Sequence, residues 1–154
     1  MLHELRRKDR ELPEAETRKL LEQGEYGVLA TCSADGQPHG VPLSYCVIGD
    51  AIYFHSALEG HKLENLAANS RASFCVVGAT EVLPEKFSTR YESAVVSGSV
   101  AEVLDDEKQR GLEGLVDKYS PQYREQGLRY IASDSHKTRV FRLTIERICG
   151  KARH

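Results

Sequence analysis

Strict alternation of apolar and polar positions recurs along this chain and predicts a run of β-strands. Residues 26–33 place Val28, Ala30 and Cys32 on one face, and Asp35-Gly36 follows as a hairpin turn. A second strand over about 38–48 groups Val41, Leu43, Tyr45 and Val47, and Gly49-Asp50 turns the chain again. Residues 51–56 then set Ile52, Phe54 and Ser56 against Tyr53 and His55. Further strands are expected over about 72–82, 91–103 and 137–148, the last with Phe141, Leu143 and Ile145 on one face. Helical spacing interrupts this pattern in three places. Residues 13–23 have Pro13 suited to a first helical position and Gly24 to a stop. Residues 60–69 align Leu63, Leu66 and Ala67. An insertion over about 105–132 opens on Asp105 or Asp106 as a cap and carries Leu112, Leu115, Val116 and Tyr119 at i, i+3, i+4, i+7. Gly111 and Gly114 weaken that helix, and Ser120-Pro121 reads as the cap and first residue of another.

Six strands joined mainly by tight turns, with helices at crossovers and one end, predict a mainly β (α+β) fold. The expected form is a six-stranded antiparallel barrel with flanking helices, one domain over residues 1–154. A barrel this small fills its interior with side chains, so a ligand is expected outside it, at a subunit interface.

Composition narrows the class of function. With 40% hydrophobic and 29% charged residues the chain reads as globular, and a net charge of −2 leaves no global basic field for nucleic acid or anionic membranes. No apolar run approaches the ~20 residues that span a bilayer, and the start Met1-Leu2-His3-Glu4-Leu5-Arg6-Arg7 has no apolar signal segment. A cytoplasmic location is therefore expected. Cys32, Cys46, Cys75 and Cys149 form no C-x-x-C pair and read as reduced, small hydrophobes, and no metal-ligand spacing is present.

Candidate chemistry concentrates in Tyr53-Phe54-His55-Ser56-Ala57-Leu58-Glu59-Gly60-His61-Lys62-Leu63. A strand ends in a hydroxyl, a glycine-containing loop follows, and a helix opens on two basic side chains. Cations are disfavoured at a helix N-terminus. Either His61 and Lys62 are solvated first-turn residues, or they meet an anion such as a phosphate monoester. In the second reading Ser56 and the free N–H groups of the helix start donate hydrogen bonds to it. His39 follows a turn and is expected to face solvent.

This segment resembles the phosphate-binding stretch of the pyridoxamine 5′-phosphate oxidase-like split β-barrels that bind flavin mononucleotide (FMN). His55 takes an aromatic position, Ser56 the hydroxyl, and His61-Lys62 the basic pair. The strand Gly40-Val41-Pro42-Leu43-Ser44-Tyr45 is similar to the one whose backbone lines the flavin ring. Arg90-Tyr91-Glu92-Ser93-Ala94-Val95-Val96-Ser97-Gly98 resembles the strand that brings Tyr91 and Ser93 beside the cofactor. Gly-Val-Leu-Ala-Thr, Val-Pro-Leu-Ser-Tyr, Phe-His-Ser-Ala, Gly-His-Lys-Leu, Phe-Cys-Val-Val-Gly, Tyr-Ser-Pro and a terminal Gly-Lys-Ala-Arg resemble the 5-nitroimidazole-resistance (Nim-type) branch, from Arg6 to Arg153.

The resemblance implies an FMN-dependent oxidoreductase, reducing a small nitroaromatic or quinone-like compound with electrons from a reduced pyridine nucleotide. It implies cofactor contacts from Val41, Pro42, Leu43, Ser44, His55, Ser56, His61, Lys62, Tyr91, Ser93 and Lys151, and His55 as the catalytic candidate. It also implies a homodimer with the cofactor at its interface. The alternatives are a haem-binding or haem-degrading split barrel, with haem as cofactor, and a non-catalytic flavin-binding module. Pyridoxamine phosphate oxidation itself is disfavoured, because residues 146–153 lack the Arg-x-His substrate motif of those oxidases.

Overall fold

The expected alternation is realised in eight strands, described here for residues 3–154 by a computed structural model. Met1 and Leu2, part of the start read above as lacking a signal segment, lie outside the described residues. The elements in chain order are β1 (Glu11–Leu12), α1 (Glu14–Gln23), β2 (Gly27–Cys32), β3 (Pro38–Leu43), β4 (Cys46–Ile48) and β5 (Ala51–Ser56). There follow α2 (His61–Ala68), β6 (Arg71–Leu83), β7 (Ser88–Val103), α3 (Asp105–Tyr119), α4 (Arg124–Asp134) and β8 (Arg139–Arg153). All pairings are antiparallel, in the order β3-β2-β6-β7-β8-β5-β4, with β1 on the far half of β8.

The two ends of that path, β3 and β4, are consecutive in the chain and separated only by Ser44 and Tyr45. Three residue steps span about 11 Å at most, so the sheet must curl until its edges nearly meet. They do not pair, and the result is a barrel split between β3 and β4. The strand expected over 38–48 is therefore two strands, and with the short β1, which alternation did not predict, the six expected become eight. Side-chain alternation survives the break: Val41, Leu43, Tyr45 and Val47 all pack into the barrel core.

Tyr45 holds the split together. Its ring is fully buried against Phe74, and its hydroxyl donates to the Leu21 carbonyl. Its backbone N–H donates to the Tyr119 hydroxyl at 3.0 Å, and that hydroxyl donates in turn to the Glu25 carbonyl at 2.6 Å. Tyr119→Phe leaves a strand-end N–H without its acceptor. We expect a stability loss of about 1–2 kcal/mol in a denaturant titration; an unchanged midpoint at equal slope would show that the clamp contributes nothing.

Two cores result. The barrel interior contains Leu29, Ile52, Phe54, Phe74, Val96 and Leu143, plugged by Leu21 of α1 and Leu63 and Leu66 of α2. A second core lies outside the barrel, where Leu112, Leu115 and Ile131 of α3 and α4 cover Cys46, Tyr53 and Val140. The glycines that weaken α3 as an isolated helix let it approach the sheet. A Cβ at Gly111 would stand 3.1 Å from Tyr53 and Val140, and one at Gly114 only 2.8 Å from the Cys46 sulfur. Neither Asp105 nor Asp106 caps α3: Leu104 is the cap position, no side-chain cap forms, and Asp105 adopts a φ of 53°.

Glu107 fastens the first turn of α3 to the sheet. It accepts hydrogen bonds from the Tyr53 hydroxyl at 2.7 Å and from Arg142 at 2.7 and 2.9 Å. These bonds, that of Tyr53 foremost, hold its carboxyl below the ordinary value of 4.5. A lowered folded pKa contributes stability that is full above the unfolded value and is lost as pH falls through the folded one. Glu107→Gln should therefore flatten the acid limb of a stability-versus-pH curve below about pH 4.5 and leave its slope near neutrality unchanged.

Candidate functional site

The turn from β5 into α2 is built to leave hydrogen-bond donors free. Gly60, at φ 156° and ψ 166°, occupies a region that only glycine enters readily, and it offers no side chain to cap the helix. Its carbonyl accepts from the N–H groups of Leu63 and Glu64 at 3.1 and 3.2 Å, while those of His61 and Lys62 are left to the open end. Ser56 is buried, and its hydroxyl has no hydrogen-bond partner. Its carbonyl is fixed by the Thr138 hydroxyl at 2.8 Å. Half-buried Lys62 forms no ion pair among the described residues. The His61 ring stacks on that of His39 with centroids 4.3 Å apart. Asn65 donates to Thr31 at 3.1 Å, tying α2 to β2 behind them.

His39 is thus part of this cradle and half-buried rather than solvent-facing. A signal was present in the sequence: two residues before Val41, it shares the inward face of β3. Together the four side chains present two imidazoles, one ammonium, one orphan hydroxyl and the positive end of a helix. That set suits an anion carrying several acceptor oxygens.

β3 lies at an open edge of the sheet, so the backbone groups of 38–43 on its free side have no strand partner. Pro38 and Pro42 are tolerated there because an edge position needs no second ladder. Val41 and Leu43 turn into the barrel, whereas Pro42 and Ser44 are exposed. What this stretch can offer a ligand outside the barrel is backbone, Pro42 and Ser44.

The other expected contacts are not brought to the cradle. His55 leaves β5 on the face opposite Ser56, under α3 and α4, where its ring edge is exposed. Partial burial, and then the charge of Lys62, lower its pKa and favour the neutral imidazole. Ser93 and Lys151 are register partners on the outer face of β7 and β8, and Tyr91 pairs with Arg153 two residues along. From β3 to β7 is three strand spacings, roughly 14 Å along the sheet. The expected single site is therefore three separate places in one chain. Lys151 and Arg153 are strand residues rather than a tail, because β8 continues past 148 to Arg153 through the register shift at Ser97/Gly98.

One row of that outer face is apolar across four strands. Val28 pairs with Cys75, Cys75 with Val95 and Val95 with Cys149, giving one lateral row. Val28, Val95 and the neighbouring Val77 are 39%, 41% and 61% exposed. Beside the row Ser93, Ser97, Arg147 and Lys151 line a cavity of about 320 Å³ partly roofed by His3 and Leu5. Of the four cysteines only Cys46 is buried, and all four are free thiols, as expected.

Among the described residues no helix is long and apolar enough to cross a membrane. Residues 13–152 match the family model described as pyridoxamine 5′-phosphate oxidase. No curated protein matches the sequence. Among solved structures, a Bacteroides thetaiotaomicron protein named for 5-nitroimidazole antibiotic resistance superposes with a TM-score of 0.75 at 22% identity, covering 92% of this chain and 85% of that one. A Mesorhizobium loti FAD-binding protein gives 0.68 at 26% identity, covering 94% and 98%. An FAD and haem binding protein from Mycobacterium smegmatis gives 0.75 at 22%, covering 91% and 71%. The likenesses at 22% identity show a shared fold.

Proposed function

Because this chain belongs to the pyridoxamine 5′-phosphate oxidase family of split barrels, we propose that it is a cytoplasmic, homodimeric FMN-dependent oxidoreductase. Its substrate would be a small nitroaromatic or quinone-like compound, and its electron donor a reduced pyridine nucleotide. The observation that carries the reading is the cradle: an orphan buried hydroxyl, uncapped helix N–H groups and three basic side chains with no ion pair among the described residues.

Bound flavin supplies the electron transfer. Lys62, His61, His39 and Ser56 hold its terminal phosphate, and the free edge of β3 (Val41, Pro42, Leu43, Ser44) meets the ring system through backbone groups. Tyr91, Ser93 and Lys151 lie too far along the sheet to join them within one chain, so they come from the second subunit. The apolar row across β2, β6, β7 and β8 provides the surface on which two copies associate. The half-exposed thiols Cys75 and Cys149 on that face suit a reducing compartment. FMN is favoured over FAD because the cradle is suited to a terminal phosphate, and FAD has none.

A haem-binding reading has one observation in its favour, the His55 imidazole, which makes no hydrogen bond among the described residues. The absorption spectrum of the purified protein separates the two: a flavin spectrum supports the first, a Soret band the second. Titration with both flavins then tests the cradle, and equal or tighter binding of FAD would count against it.

A further inference from the structure

Helices α3 and α4 touch closely at one point, where a Cβ on Gly127 would stand 2.7 Å from Val116. Beyond that contact a groove of about 360 Å³ opens between them and the outer face of β5. This is within the range of small-molecule sites. It lies on the opposite side of β5 from the Ser56 hydroxyl, so it is distinct from the phosphate cradle.

The chemistry of its lining is narrow. Leu112, Leu115 and Ile131 form apolar walls, and Tyr130, 68% exposed, stands at the rim. Asp134 and Lys137 flank the mouth but are paired with each other at 3.4 Å, and Asp134 also accepts from Ser133 at 2.6 Å. Neither is left to demand a charged ligand. The Thr138 hydroxyl is spent on the Ser56 carbonyl. Three lining side chains carry hydrogen-bonding groups unengaged among the described residues, the Tyr130 and Ser135 hydroxyls and the His55 imidazole, and of these only a neutral imidazole presents a bare ring nitrogen as acceptor. An apolar slot with an aromatic rim and an imidazole acceptor on its β5 side suits a flat ring carrying one hydroxyl.

We propose that this groove binds a small neutral phenol, its ring between Leu115, Ile131 and Tyr130 and its hydroxyl donating to His55. None of the cradle's side chains lines the groove. The test is an amide-resolved NMR titration of the whole chain with p-cresol, against 4-methylanisole, in which a methyl group replaces the hydroxyl proton and removes the donor. Shifts should concentrate at residues 55, 112–116 and 130–138, with p-cresol bound about tenfold more tightly. His55→Leu should abolish that preference and leave 4-methylanisole unaffected, whereas His55→Gln, which keeps an acceptor, should retain it. Tyr130→Ala, at an exposed rim position, should weaken both probes equally. Shifts elsewhere, equal affinity for the two probes, or a preference that survives His55→Leu would overturn the proposal. So would a Tyr130→Ala protein that binds both probes as wild type does.

Discussion

Replacing Lys62 with alanine should raise the dissociation constant for FMN about tenfold to hundredfold and leave that for riboflavin nearly unchanged. Lys62 lies in the first turn of α2, half-buried, with no ion pair among the described residues. Its charge there opposes the helix dipole, so its removal is neutral or slightly favourable for folding. Toward a phosphate the balance reverses. The ammonium then makes a hydrogen bond charged at both ends, beside the uncapped N–H groups of the same turn, and such bonds contribute about 1.5–3 kcal/mol. Riboflavin has the same ring system and no phosphate, so it isolates the term. Fluorescence titrations of wild type and Lys62→Ala with both ligands decide the matter. Wild-type affinity of the mutant for FMN would make Lys62 a surface lysine. Parallel loss of both ligands with a fall in melting temperature would make its role structural. His39→Ala should act in the same direction, since its ring supports that of His61 at 4.3 Å.

Local pattern carried most of the fold and part of the site. Strand β5 and helix α1 occur within a residue of where alternation and the Pro13–Gly24 punctuation place them. The cradle turn is legible because its chemistry is contiguous from Ser56 to Lys62. What escaped depends on partners distant in sequence. Nothing in residues 38–48 reveals that their first half pairs with β2 and their second with β5, because both halves keep the same alternation. The bulge that carries β8 on to Arg153 is a property of its pairing with β7, and it turns Lys151 from a tail residue into a register partner of Ser93. His39 was hidden by its turn-like neighbourhood, and only the approach of α2 shows what it touches. The division of the expected contacts over three faces of one chain is likewise a fact of topology. Side-chain types alone cannot express it.

Val95→Asp should convert the protein to a monomer that still folds and no longer retains FMN. Val95 sits mid-row on the outer face, between Cys75 and Cys149 in register, with Val28 one strand further on. It is 41% exposed in the single chain, so a carboxylate there remains hydrated and the barrel interior is untouched. In an association of two copies through this row, the same carboxylate is stripped of water, and its nearest bases, Arg147 and Lys151, stand two residues either side of Cys149 on β8, offset from it. Desolvating a charge without close pairing costs several kcal/mol even after relaxation. That is enough to shift a dimer of ordinary affinity by three or more orders of magnitude in dissociation constant. Loss of FMN follows from the same geometry, since Ser93 and Lys151 adjoin Val95 on this face and lie three and four strand spacings from β3 of their own chain. Leu104→Asp is the control: Leu104 is 62% exposed, precedes α3, and lies outside this row. It should leave both the dimer and FMN binding intact. Light scattering combined with flavin titration on the three proteins reads both effects. A wild-type monomer with full FMN occupancy, or a Val95→Asp protein that remains dimeric, would show that the row is not the subunit contact and that one chain completes the site alone.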